Sequence, residues 1–586
     1  MSWRARATRR RPGAVALAGA ALSCLLLASS ASSAPDFWAG ASTAASGAPS
    51  TAVKPPAICS EADAALAASL IARMSDEEVI GQVLMMAYPG DEPGELLLRW
   101  IKERGLGGVK IFGWNAEDSG VAASAVAVIQ KVALSSGSGI PLLVATDQEG
   151  GWIRHIKGDT TETPGNMAIG ASGRPYDAFR TGELIGRELA ALGVNMNFAP
   201  SVDLATEPKS YIIGPRAFSD DPAVVAALGA AYAAGLASSG VIATAKHYPG
   251  HGATADDSHG SLPVIRVDEK TLWERELLPF RVLAAAGVPA IMSGHLAFPL
   301  VSGNGEPASL SRFFMTTLLR ERIGFKGIAV TDDLAMNGAG IAAGAFSEAC
   351  VKALEAGNDV VMMSRLLEFD DPAWTRLLAA YRGRASFRSR VREAATRVVE
   401  TKLRYLKGRG KAALVPDLGR LASRVPDPEA AAFFKEQAYR SATAVAPRGI
   451  PFAPAGQVLI ASPLKEFTSA ALEAYPGASS FRFSYSPEGA ALEGELRAFD
   501  AALAGCSATL VCVANQAGMD FAQRAHDAGK RVAIVSAQSP APLARAAWAE
   551  AVVAVYGCSR ESLRAGIDVL AGKAAAQGRL PVKLAK

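Results

Sequence analysis

Val241-Ile-Ala-Thr-Ala-Lys-His-Tyr-Pro-Gly-His-Gly252 runs a short apolar stretch straight into a polar cluster, and Asp257-Ser-His259 follows five residues later. The apolar part, entered through Gly240, is too short for a helix and reads as a buried strand. Three of the six histidines of the chain fall in the thirteen residues 247–259. Histidine titrates near neutral pH, so a cluster at a strand end invites acid/base chemistry.

The same pattern recurs on both sides. Short apolar runs end in polar or glycine-rich loops: Gly108-Val-Lys-Ile-Phe112, Pro141-Leu-Leu-Val-Ala-Thr146, Asn195-Met-Asn-Phe-Ala199, Ala290-Ile-Met-Ser293, Gly327-Ile-Ala-Val-Thr331 and Asp359-Val-Val-Met-Met363. Between them lie helical stretches, among them 176–192, 222–238, 268–286, 313–322 and 344–356. Strands alternating with such helices predict a parallel sheet with right-handed crossovers. Seven or eight units in residues 57–410 predict a (β/α)8 TIM-type barrel, and no glycine-rich dinucleotide fingerprint follows an early strand to favour an open sheet. In a barrel the loops after the strands converge on one mouth. Asp147-Gln-Glu-Gly-Gly151, Asp203 with the loop to Arg216, the histidine cluster, His295 and Asp332-Asp333 all follow strands. Taken alone, an acid in such a place, Asp333 for instance, is a helix cap or a solvated loop residue.

A second unit is expected over 430–586, after a linker at 411–429. Apolar runs at 457–461, 508–514, 531–536 and 551–556 alternate with helical stretches such as 520–528 and 542–548. They predict a smaller α/β sandwich, with a connecting helix at 428–442 and His526 as a surface or packing residue.

The chain has 586 residues, 50% of them hydrophobic and 20% charged, a globular composition with ample material for a core. Residues 1–34 carry five arginines, an apolar run from Ala14 to Ala28 and a small-residue exit, which reads as a signal for export. No other apolar run is long enough to span a membrane. Without those arginines, 55 basic residues face 56 acidic ones, so the formal net charge of +4 is no argument for nucleic-acid binding. Ala21-Leu-Ser-Cys24 is a degenerate lipidation motif, which leaves a lipid anchor at Cys24 as an alternative to free export to the periplasm or cell envelope. Residues 35–56 read as a flexible tether. The remaining cysteines, Cys59, Cys350, Cys506, Cys512 and Cys558, form no CxxC pair and read as buried thiols.

His247-x-x-x-His251 has the spacing of a helical zinc pair, but Pro249-Gly250 breaks the helix it would need, and no metal is expected. Asp257 and His259 instead read as a dyad in a loop: the carboxylate orients the imidazole, whose other nitrogen gives a proton to a leaving oxygen. A carboxylate across the pocket, Asp332, would then attack a sugar carbon in the two-step retaining scheme.

Together these motifs resemble glycoside hydrolase family 3, in its β-N-acetylglucosaminidase subgroup with two domains. The resemblance rests on Lys246-His-Tyr-Pro-Gly-His-Gly252 with Asp257-Ser-His259, on Asp147-Gln-Glu-Gly-Gly151, on Ile213-Gly-Pro-Arg-Ala-Phe218 and on Thr331-Asp-Asp-Leu-Ala-Met336. It implies Asp332 as nucleophile with Asp333 structural, and His259 as acid/base with Asp257 as partner. Asp147, Arg216, Lys246 and His247 would bind the hydroxyl and N-acetyl groups of the sugar. The family pattern has an arginine eight residues beyond Asp147. This chain has His155 there, beside Arg154, so either Arg154 makes that contact or the pocket differs. His251 is read as shaping the loop, and His295 as lining the pocket in preference to satisfying a backbone group. The implied activity is exo-hydrolysis of β-linked GlcNAc from peptidoglycan-derived oligosaccharides or muropeptides by a monomer, without cofactor. The alternatives are a β-glucosidase, a GlcNAc phosphorylase or a non-catalytic glycan-binding protein of the envelope.

Overall fold

The computed structural model describes residues 37–38, 60–258, 260–336 and 344–584. Eight strands form one parallel sheet: β1 (Leu84–Met86), β2 (Gly108–Lys110), β3 (Leu143–Thr146), β6 (Met196–Asn197), β7 (Ile242–Tyr248), β8 (Ala290–Ser293), β9 (Ile328–Thr331) and β10 (Val361–Met363). A short hairpin, β4 (Gln148–Gly150) and β5 (Ile153–Arg154), springs from the end of β3. The strand order is β10-β1-β2-β3-β6-β7-β8-β9. A parallel bridge between Val330 and Val360, with the Thr331 N–H donating to the Val360 carbonyl at 3.0 Å, joins the two ends. The sheet thus closes as the expected barrel. Residues of all eight strands are buried, as they must be when helices cover the outside and side chains fill the inside.

The Pro222–Ser238 helix coincides with its sequence reading because Asp221 caps it and Pro222 starts it. The stretch expected as one helix over 268–286 is instead broken. The Leu277 N–H reaches back five residues to the Leu272 carbonyl, and a second helix, Leu278–Ala285, begins there with Pro279 in its first turn. Proline has no N–H to continue the helical ladder, so the break falls where it costs least.

The second sheet has the order β11-β16-β15-β14-β12-β13, built from β11 (Thr443–Ala446), β12 (Val458–Ser462), β13 (Ser479–Arg482), β14 (Ala508–Val513), β15 (Arg531–Ser536) and β16 (Ala551–Ala554). It is parallel except for β11, which runs antiparallel to β16 at the edge. Apolar layers cover both faces. One of them contains Met167, Ala168 and Ala171 from the barrel-side helix Asn166–Ser172, so the two units share packing. The expected helix at 542–548 is a single tight turn, Ala541–Arg545, and His526 stacks on Trp548 with ring centroids 4.3 Å apart.

Phe37 and Trp38 depart from the tether reading of residues 35–56. Both are buried in the main core, and Trp38 donates to the Gly139 carbonyl at 3.1 Å. Burial of two adjacent aromatic rings is what holds these two residues to the core. Cys24, Cys59 and the export signal lie outside the described residues. The described cysteines, Cys350, Cys506, Cys512 and Cys558, are free thiols, and among the described residues no helix is long and apolar enough to cross a membrane.

Candidate active site

Asp147 leaves the end of β3 at the carboxyl mouth of the barrel. The hairpin beyond it turns through Gly150 and Gly151, both at positive φ, and a Cβ on Gly150 would lie 2.5 Å from Thr163 Oγ1. Asn197 of β6 locks the hairpin by accepting from the Gln148 N–H at 3.0 Å and donating to the Gln148 carbonyl at 2.9 Å.

A chain of alternating charges crosses the mouth from there. Lys110 Nζ, from β2, lies 2.7 Å from Asp147 Oδ2. Asp147 Oδ1 accepts from Lys246 Nζ, which comes from β7 and also lies 2.6 Å from Glu149 Oε1. Arg216 grips the same Glu149 through both oxygens, Nε at 2.9 Å and an Nη at 2.8 Å. Every cation in the series has an anion beside it, which is the condition for holding so many charges out of water. Burial would raise the carboxyls of Asp147 and Glu149, but the cations outweigh it. Lys110 and Lys246 hold Asp147 well below the usual carboxylate range, and Arg216 and Lys246 bring Glu149 down to about 2. Lys246 is raised despite its burial, because two carboxylates face it.

Asp203, beyond β6, ties down the stretch from Lys246 to Gly252. It accepts from the His251 N–H at 2.7 Å, from the His247 N–H at 3.1 Å and from His247 Nδ1 at 2.6 Å. His247 Nδ1 therefore donates, and Nε2, 3.3 Å from an Nη of Arg216, is left as acceptor. The Gly250 N–H closes a tight turn onto the His247 carbonyl at 2.8 Å. The two histidines of the zinc-like spacing thus sit on a strand end and a turn, with ring centroids 5.9 Å apart. A Cβ on Gly252 would lie 1.9 Å from the Leu204 carbonyl, so the turn closes only with glycine there. His251 is buried, and burial pushes its imidazole down to about 4.

Asp332 follows β9, its N–H bonded to the Ser293 carbonyl at the end of β8. Among the described residues its carboxylate accepts one hydrogen bond, from the Asp333 N–H at 2.8 Å. Burial raises this group too, but the imidazoles of His247 and His295, the Asp333 N–H and Lys246 hold it below the ordinary carboxylate range. Asp333 is structural: its Oδ1 accepts from the Ala335 and Ser364 N–H groups, each at 2.9 Å. His295 differs from the pocket-lining reading. Its Nδ1 lies 2.7 Å from Ser309 Oγ and its Nε2 donates to the Asp333 carbonyl at 3.0 Å, so it fixes the backbone beside Asp332.

Asp257 is partly exposed, and Tyr211 Oη donates to its Oδ2 at 3.0 Å. His259 lies outside the described residues. Arg154 does not join the cluster described above: its guanidinium donates to the Thr160 carbonyl at 2.8 Å and lies 3.6 Å from Glu162. His155 does join it, with Nδ1 3.1 Å from Lys110 Nζ and 3.7 Å from Asp147 Oδ2. The sequence reading assigned no site role to Lys110, Glu149, Asp203 or Tyr211. A lysine in the middle of the apolar run 108–112 was the available signal for the first, since a charge there needs a buried partner.

A parallel barrel with this charged mouth at the carboxyl ends of its strands defines an enzyme for a small polar ligand. The profile described as the glycosyl hydrolase family 3 N terminal domain matches residues 75–400, and the chain belongs to that family. It is 34% identical over 300 residues to a beta-hexosaminidase of Thiobacillus denitrificans, an alignment covering 50% of this chain and 81% of the relative. It is 37% identical over 290 residues to beta-hexosaminidase A of Pseudoalteromonas piscicida, spanning 46% of this chain and about half, 47%, of that longer relative. Among solved structures, a glycoside hydrolase family 3 beta-N-acetylglucosaminidase from Paenibacillus sp. str. FPU-7 superimposes with a TM-score of 0.79 at 30% identity, covering 87% of this chain and 99% of that one.

Proposed function

We propose that the protein is a retaining exo-β-N-acetylglucosaminidase acting on glycans derived from peptidoglycan. One observation carries the reading. Asp147, Glu149 and Asp203 are each clamped by cations or by several donors, whereas Asp332 is kept ionised by its surroundings and, among the described residues, accepts a single backbone hydrogen bond. A carboxylate that is charged yet lightly held is the one able to attack. Asp332 would bond to the anomeric carbon as the glycosidic bond breaks. The His259–Asp257 dyad would protonate the leaving oxygen and then take a proton from the water that releases the sugar. Lys246, Arg216 and Asp147 would bind hydroxyl groups, and His247 Nε2 would meet a polar group of the sugar. The names of the hexosaminidase relatives support GlcNAc as the sugar. The basic, apolar N-terminus supports export, which is where such glycans occur.

The test is a panel of aryl β-glycosides of GlcNAc, glucose and xylose, assayed with and without phosphate and with the product anomer identified. Release from the GlcNAc compound with retention of configuration, independent of phosphate, is expected. Asp332→Ala should lower that rate on the order of 10⁴-fold. Activity in Asp332→Ala equal to that of the wild type would sink the assignment.

A further inference from the structure

Lys110 is 0% exposed; its ammonium donates to the Ile111 carbonyl at 3.2 Å and lies against several side chains. Asp147 Oδ2 lies at 2.7 Å, His155 Nδ1 at 3.1 Å, and the face of the Phe112 ring at 4.2 Å from its centroid. The His155 ring stacks on the other side of this corner, 5.4 Å from Phe112. An ammonium has only donors, so His155 Nδ1 must accept, and the single ring proton of a neutral imidazole then sits on Nε2. The His155 side chain keeps 28% of its surface exposed, so the ring borders the open mouth.

We propose that Lys110 is a positioning residue with two effects: it clamps Asp147, and it holds His155 as a neutral ring that offers its Nε2–H to an uncharged sugar hydroxyl. The ligand identity rests on the function proposed above. The groups facing His155 agree with the geometry. Burial and the nearby Lys110 and Lys246 oppose its protonation more strongly than Asp147 and Glu149 favour it, and its imidazole is pushed down to about 4. A second cation at position 155 would crowd Lys110, whereas loss of Lys110 would leave Asp147 one cation short. An arginine at 155, within reach of Asp147, should then fill the gap.

Three proteins test this: wild type, Lys110→Met and Lys110→Met/His155→Arg. Histidine ring-nitrogen NMR on the wild type should show His155 protonated at Nε2 alone down to about pH 5. A ring protonated at Nδ1, or at both nitrogens at neutral pH, would overturn the proposal without any substitution. In Lys110→Met, His155 should titrate at a higher pH than in wild type, because one opposing cation is gone while burial and Lys246 remain. Its kcat/KM on aryl β-GlcNAc should fall on the order of a hundredfold, as expected when a binding carboxylate is displaced. The double variant should recover to within about tenfold of wild type, one such factor being 1.4 kcal/mol. Wild-type kcat/KM and pH profile in Lys110→Met would refute the role, as would a double variant that melts like wild type yet recovers nothing. If the wild type releases no aryl group from β-GlcNAc, the proposed function falls, while the ring-nitrogen measurement still decides the state of His155.

Discussion

Asp203 touches no part of a sugar in the scheme above, yet it decides which nitrogen of His247 carries the proton. Its Oδ2 lies 2.6 Å from His247 Nδ1, and its Oδ1 holds the His251 N–H at 2.7 Å. In Asp203→Asn the new amide would set its own N–H groups against one of these donors. The imidazole would then turn or change tautomer, bringing a ring N–H against Arg216, 3.3 Å away. We expect kcat/KM on aryl β-GlcNAc to fall on the order of a hundredfold, mostly through kcat, with the fold intact by circular dichroism. An unchanged kcat would show that the His247 tautomer is idle. The pH dependence of stability gives a second reading. Burial opposes the charge on Asp203, but His247, His251 and the backbone N–H groups outweigh it and hold the carboxyl below its ordinary value. A carboxyl depressed on folding stabilises the protein above its unfolded value of about 3.9, and that contribution is lost as the pH falls through and below it. Wild type should therefore lose stability more steeply than Asp203→Asn on acidification below about pH 4, measured as the urea midpoint.

The long helix Ala385–Leu406 closes one side of the barrel and buries Lys402 completely. Lys402 Nζ donates to Gln82 Oε1 at 2.8 Å, and burial without a facing carboxylate pushes the ammonium down to about 7. The unfolded chain holds that proton up to about pH 10.4. Between about 7 and 10 the unfolded state therefore binds more protons, and stability rises with pH; below 7 both states are protonated and the penalty is constant. Lys402→Met should remove this rise. The urea midpoint of wild type should gain on that of the variant between pH 7 and about 9.5, and parallel curves would show that Lys402 titrates normally. Such a residue also marks the reach of sequence reading at this scale. Most barrel strands were legible because burial on both faces leaves short, mainly apolar runs between polar loops. β13, whose residues 479–482 are largely exposed at a sheet edge, carries no such run, and β1 lies in the apolar stretch 83–88, which follows directly on the helix Asp76–Gln82 with no loop to mark it off. In the site, Asp147 and Asp332 follow strands and Lys246 and His247 end one, but the sugar-binding roles of Asp147, Arg216, Lys246 and His247 were legible only through the family motifs they belong to. Glu149 and Asp203 belonged to the same loops, but their partners lie 67 and 44 residues away in sequence and are set by barrel closure. Phe37-Trp38 was hidden by the small residues around it.

The second unit bonds to the chain segments that carry a residue of the barrel site. Arg216 carries the guanidinium that grips Glu149, and the chain just beyond it is held by the C-terminal segment. Ser219 Oγ donates to the Pro581 carbonyl at 2.5 Å, the Asp220 N–H donates to the same oxygen at 3.4 Å, and the Lys583 N–H donates to Asp220 Oδ2 at 2.9 Å. One step back, the Arg579 N–H bonds the Ala171 carbonyl at 2.9 Å, on the helix whose Asn166 holds the Arg216 carbonyl at 2.8 Å. Gly170 fits against the Phe218 carbonyl so closely that a Cβ would lie 1.7 Å from it. Arg216 is thus positioned by contacts running through both units, and none of them involves Asp332. Ending the chain at Gly578 removes these pins and leaves the barrel strands untouched. We expect KM for aryl β-GlcNAc to rise on the order of tenfold, the equivalent of one or two net hydrogen bonds, with a smaller change in kcat. Ser219→Ala, which removes only one of the pins, should move KM in the same direction by less. Equal loss of kcat and KM-independent inactivation in the truncated chain would instead mean that the second unit supports the fold of the barrel as a whole, and a lowered Tm with an unchanged KM in the surviving fraction would separate that outcome from the positioning of Arg216.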